Sequence, residues 1–173
     1  MNTMRIRLGI SSCLLGNNVR YNGGHKGDSF LIHTIGKYAD YVPVCPETEC
    51  GMGVPRETLD LTGDPGNPRL VNTRTRRDRT DQMREWATAR LSGLASEALW
   101  GFIFKSKSPS CGRTGVKVHD GNGQFRKEGM GIFARMFTAR FPLIPVTDEA
   151  EFCEPDLRED FIGRVFVWQR WRE

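Results

Sequence analysis

Five cysteines stand in a chain of 173 residues, at positions 13, 45, 50, 111 and 153. The number is odd and the spacings are wide, a pattern that does not suit a disulfide framework. Reduced thiols are soft ligands, and soft ligands select zinc, copper(I) or iron–sulfur centres. Cys45-Pro-Glu-Thr-Glu-Cys50 has a spacing that a zinc knuckle can use. Cys13 and Cys111 have no such close partner, and His25, His33 and His119 are equally isolated. Spacing alone leaves two readings open, a metal centre and a set of buried, inert thiols, since free cysteine is among the most buried residue types.

The neighbours of three cysteines say more. Ser11-Ser12-Cys13-Leu14-Leu15-Gly16 surrounds a thiol with hydroxyls and small residues. Lys105-Ser106-Lys107-Ser108-Pro109-Ser110-Cys111-Gly112 does the same and adds positive charge. Backbone amides, hydroxyls and lysines stabilise the negative charge of an iron–thiolate group or an anionic substrate. Cys45-Pro46-Glu47 places a carboxylate two residues from a thiol, in reach of acid–base work. The structural alternatives are a loop ion pair for Glu47, with Arg56 as partner, and turn capping for Ser108.

The elements that must position these residues read as follows. Residues 5–11 alternate as a first strand, and residues 27–38 have the spacing of a short helix. Residues 41–45 form a second strand that ends on a cysteine. A hairpin is expected between 59–61 and 70–72. Residues 80–99 carry one apolar face through Met83, Trp86, Ala87, Leu91, Leu94 and Leu99 and read as a helix with Thr80 as N-cap. Residues 100–105 are a continuous apolar run suited to a buried strand. A second hairpin is expected at 116–119 and 124–126, a helix at 130–140, a strand at 143–146 and a last helix at 156–171.

Alternating strands and helices imply an α/β domain, Rossmann-like and three-layered, with a mostly parallel central sheet. In such sheets ligands gather beyond the carboxyl ends of the strands. Cys13, Cys45 and Cys111 all follow expected strands, so one crevice can collect all three.

Taken together, these segments resemble the thiouracil desulfidase family. The matching pieces are Ser-Ser-Cys-Leu-Leu-Gly with Val19-Arg20-Tyr21, Val-Cys-Pro-Glu, Gly53-Val-Pro-Arg56 and Lys-Ser-Lys-Ser-Pro-Ser-Cys-Gly. Gly131-Ile-Phe-Ala134 and Phe141-Pro-Leu-Ile-Pro145 extend the likeness. The resemblance implies a [4Fe-4S] cluster on Cys13, Cys45 and Cys111 with one open iron. It also implies catalytic roles for Glu47 and Ser108, and contacts to a thiolated uracil or uridine from Ser12, Arg20, Lys105 and Ser110. Asn22 stands where the family pattern often has Asp, and Cys50 is an additional thiol.

The C-terminal segment, residues 155–173, resembles the helix that precedes a second domain in longer relatives that remove sulfur from 4-thiouridine in transfer RNA. The whole chain, 1–173, therefore reads as one such domain. A thiocarbonyl bound to the open iron would be hydrolysed without net electron transfer, with Glu47 as general base and Ser108 as a proton relay or ring contact.

The formal charge is +4, which permits an anionic substrate and requires none. Arg74, Arg76, Arg77 and Arg79 form a local basic run that transfer RNA could use, or that is a solvated loop. No apolar stretch is long enough for a membrane span, and the first residues lack a signal-peptide core, so a cytoplasmic protein is expected. Two other readings are a non-enzymatic zinc or redox-sensing protein using Cys45 and Cys50, and an RNA-binding module with inert cysteines.

Overall fold

The computed structural model describes residues 5–172. Residues 1–4 and 173, read above as the leaderless start and the end of the last helix, lie outside them. In chain order the described residues form β1 (Ile6–Ser11), α1 (Ser29–His33), β2 (Ala39–Val44), α2 (Pro46–Glu49), β3 (Leu59–Thr62) and β4 (Arg69–Asn72). They continue with α3 (Thr80–Ala95), β5 (Gly101–Phe104), β6 (Val116–His119), β7 (Phe125–Gly129), α4 (Ile132–Arg140), β8 (Val146–Asp148), α5 (Glu149–Cys153) and α6 (Pro155–Arg172).

Four strands form a parallel sheet in the order β2-β1-β5-β8. The chain leaves β1 toward β2 on one side and returns to β5 on the other, so the order reverses at β1. A crevice opens at the carboxyl ends of strands where such a reversal occurs. The other four strands form a mixed sheet, β4-β3-β6-β7, built of two hairpins joined by the parallel β3–β6 pair.

Burial on both faces makes the parallel strands apolar throughout, as in Phe102, Ile103 and Phe104 of β5. On one face Val44, Phe102 and Phe104 pack against Ala87, Leu91 and Leu94 of α3 and against Phe133 and Phe137 of α4. On the other, Leu8, Ile10 and Ile103 meet Leu31 of α1, Phe152 of α5, and Phe161 and Val165 of α6. The second sheet lays Leu61, Leu70, Val116 and Val118 over Met83 of α3 and Ile132 of α4. Gly9 is required in β1, because a Cβ there would stand 2.2 Å from the ring of Phe102.

The α/β class and the mostly parallel central sheet agree with the sequence reading, and so do both hairpins. Some boundaries differ. Thr80 is the first residue of α3, not its cap; its hydroxyl accepts from the Leu70 amide at 2.8 Å and ties the helix to β4. The helix ends at Ala95, and Ala98 turns the chain with φ 51°. The strand expected at 143–146 begins only at Val146, because residues 142–144 form a turn closed by Ile144 N–H to Phe141 O. The helix expected at 27–38 is α1, capped by Asp28, followed by a separate 3-10 turn at Ile35–Lys37. No helix of the described residues is long and apolar enough to cross a membrane.

Candidate active site at the ends of the parallel strands

Three loops at the carboxyl edge of the parallel sheet supply the site. Cys13 lies in the 3-10 turn Ser12–Leu15 directly after β1. This loop is fastened by Lys26 N–H to Cys13 O at 2.9 Å and Asp28 N–H to Leu14 O at 2.8 Å. Cys45 caps α2, where Pro46 occupies the first helical position; its amide donates to Glu49 Oε1 at 2.9 Å. Cys111 lies in the loop after β5, which turns tightly through Gly112 N–H to Ser108 O at 2.7 Å. Gly131 N–H then binds Gly112 O at 2.7 Å, and a Cβ on Gly131 would stand 2.4 Å from the Ser110 carbonyl. That close approach between the Cys111 loop and the start of α4 admits only glycine.

The three thiols line one cavity of about 310 Å³ together with Glu47, Ser108, Ser12, Arg20 and Lys105. Cys45 and Cys111 are buried and Cys13 is half-buried. Burial raises all three thiol pKa values. Cys13 is pushed to about 11, with the Cys45 and Glu47 charges adding to burial. At Cys111 burial and Glu47 act upward, against a hydrogen bond from Ser11. At Cys45 burial acts with Glu47, against hydrogen bonds from Thr48 and the charge of Arg56. Clustered, desolvated thiols of this kind become thiolates when a cationic centre replaces their protons.

Among the described residues, no group of three or more His, Cys, Asp and Glu side chains closes on a point that a single metal ion would fill. The thiols surround a space instead. Three soft thiols facing one cavity are a donor set that fits a thiolate-bound cluster. Cys50 takes no part in the cavity lining: its thiol donates to Glu47 O at 3.4 Å and it packs beside the core of the second sheet. Burial, with Glu47, raises its pKa to about 11. Cys153 is exposed at the end of α5.

Glu47 Oε2 lies 3.5 Å from Cys45 Sγ and 3.9 Å from Arg56 Nη2. The same guanidinium donates through Nη1 to Val19 O at 2.9 Å and Gly53 O at 3.0 Å, so it is fixed by backbone. Ser108 Oγ accepts from the amides of Ser110 and Cys111 at 3.2 and 3.0 Å. It therefore caps its turn and still has a hydroxyl hydrogen to give. Ser12 Oγ accepts from Asn17 Nδ2 at 2.8 Å. Arg20 stacks over Tyr21 at 5.3 Å from the ring centre, both at the cavity wall.

Lys105 is less free than its position suggests. Its ammonium pairs with Glu149, and Glu149 also accepts from the Ser106 amide and hydroxyl, each at 2.7 Å. Burial raises the Glu149 pKa, but these hydrogen bonds and the Lys105 charge outweigh it and hold the carboxyl below its usual range. Ser110 does not reach the cavity; its side chain is fully buried with no partner for its hydroxyl.

Three residues have site roles that the sequence reading did not assign. Ser11 hydrogen-bonds Cys111 and accepts from the Lys105 amide at 2.8 Å. Arg56 had appeared as an ion-pair alternative for Glu47 and as the end of the Gly53-Val-Pro-Arg56 segment, with no role at the site. Glu149 begins α5 at the end of β8, and Val146-Thr-Asp-Glu149 is its signal: a strand running into an Asp cap delivers the next residue to the same sheet edge. Of the basic run, Arg79 is engaged by Asn72 and Gln82, and Arg76 pairs with Asp60. Arg74 and Arg77 are exposed.

A model of the 2-thiouracil desulfurase family matches residues 8–149, which include all three cavity cysteines. The chain belongs to that family. It is 33% identical over 108 residues to the uncharacterized protein YbbK of Bacillus subtilis (strain 168), covering 60% of this chain and 71% of the relative. Its fold superposes on a [4Fe-4S]-dependent thiouracil desulfidase, TudS, with a TM-score of 0.71 and 26% identity. That match covers 90% of this chain and 99% of the other.

Proposed function

We propose that the chain is an iron–sulfur-dependent desulfidase that removes sulfur from thiolated uracil by hydrolysis of the C=S bond. The observation that carries this reading is the convergence of Cys13, Cys45 and Cys111 on one cavity that also holds Glu47. The three thiols are the residues that would hold a [4Fe-4S] cluster, and the likeness to a [4Fe-4S]-dependent desulfidase supports a cluster of that kind. Bound there, such a cluster would supply soft Lewis-acid chemistry toward the sulfur of a thiocarbonyl.

The protein's own residues do the rest. Glu47 takes a proton from the attacking water, and Arg56, fixed by two carbonyls, aims the carboxylate into the cavity. Ser108 gives its hydroxyl hydrogen to the uracil ring and holds it against the Cys111 loop. One water is consumed, the C=S carbon gains an oxygen, and sulfur leaves as hydrogen sulfide; no electrons are exchanged. Arg20, Lys26, Arg56, Lys105 and Lys107 line the cavity against Glu47 and Glu57. That excess of positive charge favours a thiouridine carrying phosphate, as nucleotide or in transfer RNA, over the free base.

Anaerobic reconstitution followed by parallel assay of 2-thiouracil, 4-thiouridine monophosphate and thiolated transfer RNA tests the proposal. Sulfide release from at least one substrate, in step with iron content, is expected. A fully reconstituted protein that releases sulfide from none of them overturns it.

A further inference from the structure

The second sheet turns one face to the core and the other outward. Leu61 and Val118 are paired neighbours and face inward. By alternation Asp60, Lys117, His119, Phe125 and Lys127 stand on the outer face. Asp60, Lys107, Lys117, His119 and Lys127 line a cavity of about 480 Å³ there. This cavity shares Leu59, Lys107 and Pro109 with the wall of the cysteine cavity, so the two open side by side.

Its charge is one-sided. Lys107, Lys117 and Lys127 form no ion pair among the described residues, while Asp60, its one carboxylate, is already met by Arg76 at 3.7 Å and His119 at 3.8 Å. Phe125 is a large exposed ring beside them, with Lys117 Nζ 4.4 Å from its centre and the His119 ring 5.7 Å away. An exposed aromatic ring costs favourable burial and is informative where it adjoins uncompensated cations. Single-stranded nucleic acids are held by that combination, bases stacking on rings while phosphates meet lysines.

We infer that the outer face of the second sheet binds an unpaired RNA segment flanking the reacting nucleotide, with Lys107, Lys117 and Lys127 on phosphates and Phe125 under a base. The inference rests on the desulfidase reading for the identity of the reacting nucleotide. RNA contact thereby centres on the sheet rather than on the arginine loop, from which Arg76 reaches this face through Asp60.

The test uses the reconstituted protein, a fluorescent single-stranded RNA of about ten nucleotides, and sulfide assays on free 2-thiouracil and on the same RNA carrying one 4-thiouridine. The Lys117→Gln/Lys127→Gln double variant should lower the slope of log affinity against log salt by about 1.4, from about 0.7 per lost phosphate contact. Phe125→Ala should weaken RNA binding about tenfold. Both should reduce kcat/KM on the thiolated RNA in proportion and leave 2-thiouracil turnover unchanged, whereas Lys37→Gln, at the opposite end of the parallel sheet, should change neither. RNA affinity and salt slope unaltered in the double variant overturn the inference, as does equal loss on both substrates. Impaired RNA binding in a protein that desulfurates neither substrate would support the surface while removing the desulfidase reading.

Discussion

Glu47 has neighbours of opposite character, the Cys45 thiol and the Arg56 guanidinium, both within 4 Å of the same carboxylate oxygen. Truncating the acid–base function while keeping the shape separates its role from that of the thiols. Glu47→Gln should retain iron content and visible absorption yet lose about 10²–10⁴-fold in kcat, the usual contribution of a general base. Turnover within a few-fold of the parent would remove Glu47 from the mechanism. Glu149 acts at one remove, through Lys105 and Ser106. Its pKa is depressed on folding, so its stabilising contribution is present above the ordinary carboxylate range and is lost as pH falls through the depressed value. Glu149→Gln should therefore cost about 2 kcal/mol at neutral pH, roughly 4–8 °C in Tm. Thermal melts of the two proteins should converge as the pH falls below the ordinary carboxylate range. The cysteines were legible because each sits beside hydroxyls, a carboxylate or lysines within a few residues. Glu149 and Ser11 were not, since their partners lie 43 and 94 residues away.

At the scale of elements, the Cys111 loop and the start of α4 form a single piece. Gly112, Pro109 and Ser110 carbonyls accept from Gly131, Ile132 and Ala134, so the helix holds the loop. Gly131→Ala drives a methyl into the Ser110 carbonyl. The expected result is about 1–3 kcal/mol of destabilisation, as for other overpacked sites, with iron retention falling in parallel; urea titration and iron assay read the two. Phe137→Ala, farther along the same helix and fully buried, should cost about 3–5 kcal/mol and leave the iron-to-folded-protein ratio intact. Periodicity revealed α3, α4 and α6 because each spans at least two turns. It missed α2 and α5, of four and five residues, and found α1 only by running it together with the 3-10 turn at Ile35–Lys37. Pro46 and Asp148 mark their starts, and these two short helices carry Glu47 and begin with Glu149.

Across the whole molecule the three thiol-bearing loops come from distant parts of the chain, yet each is fastened by the protein itself. Lys26 and Asp28 hold the first, Glu49 the second, and Ser108 with Gly131 the third. The sheet brings them together, and a cluster held by Cys13, Cys45 and Cys111 would be a guest in a built pocket rather than the keystone of the fold. Chelation of a reconstituted sample should leave far-UV circular dichroism unchanged, unlike small zinc domains that unfold without metal. Loss of helical signal on chelation would show that the loops need the metal. The parallel sheet was legible from alternation alone; the outward basic face of the second sheet was not, because it emerges from the register of two hairpins far apart in sequence.

Gly131 gives that self-fastening a chronology. It is made twenty residues after Cys111, and the Ile132 and Ala134 amides that hold the same loop follow directly behind it. The Cys111 loop is therefore closed only once the first turn of α4 has been made, so a cluster on the three cysteines would meet a complete pocket only in a chain that extends past that helix start.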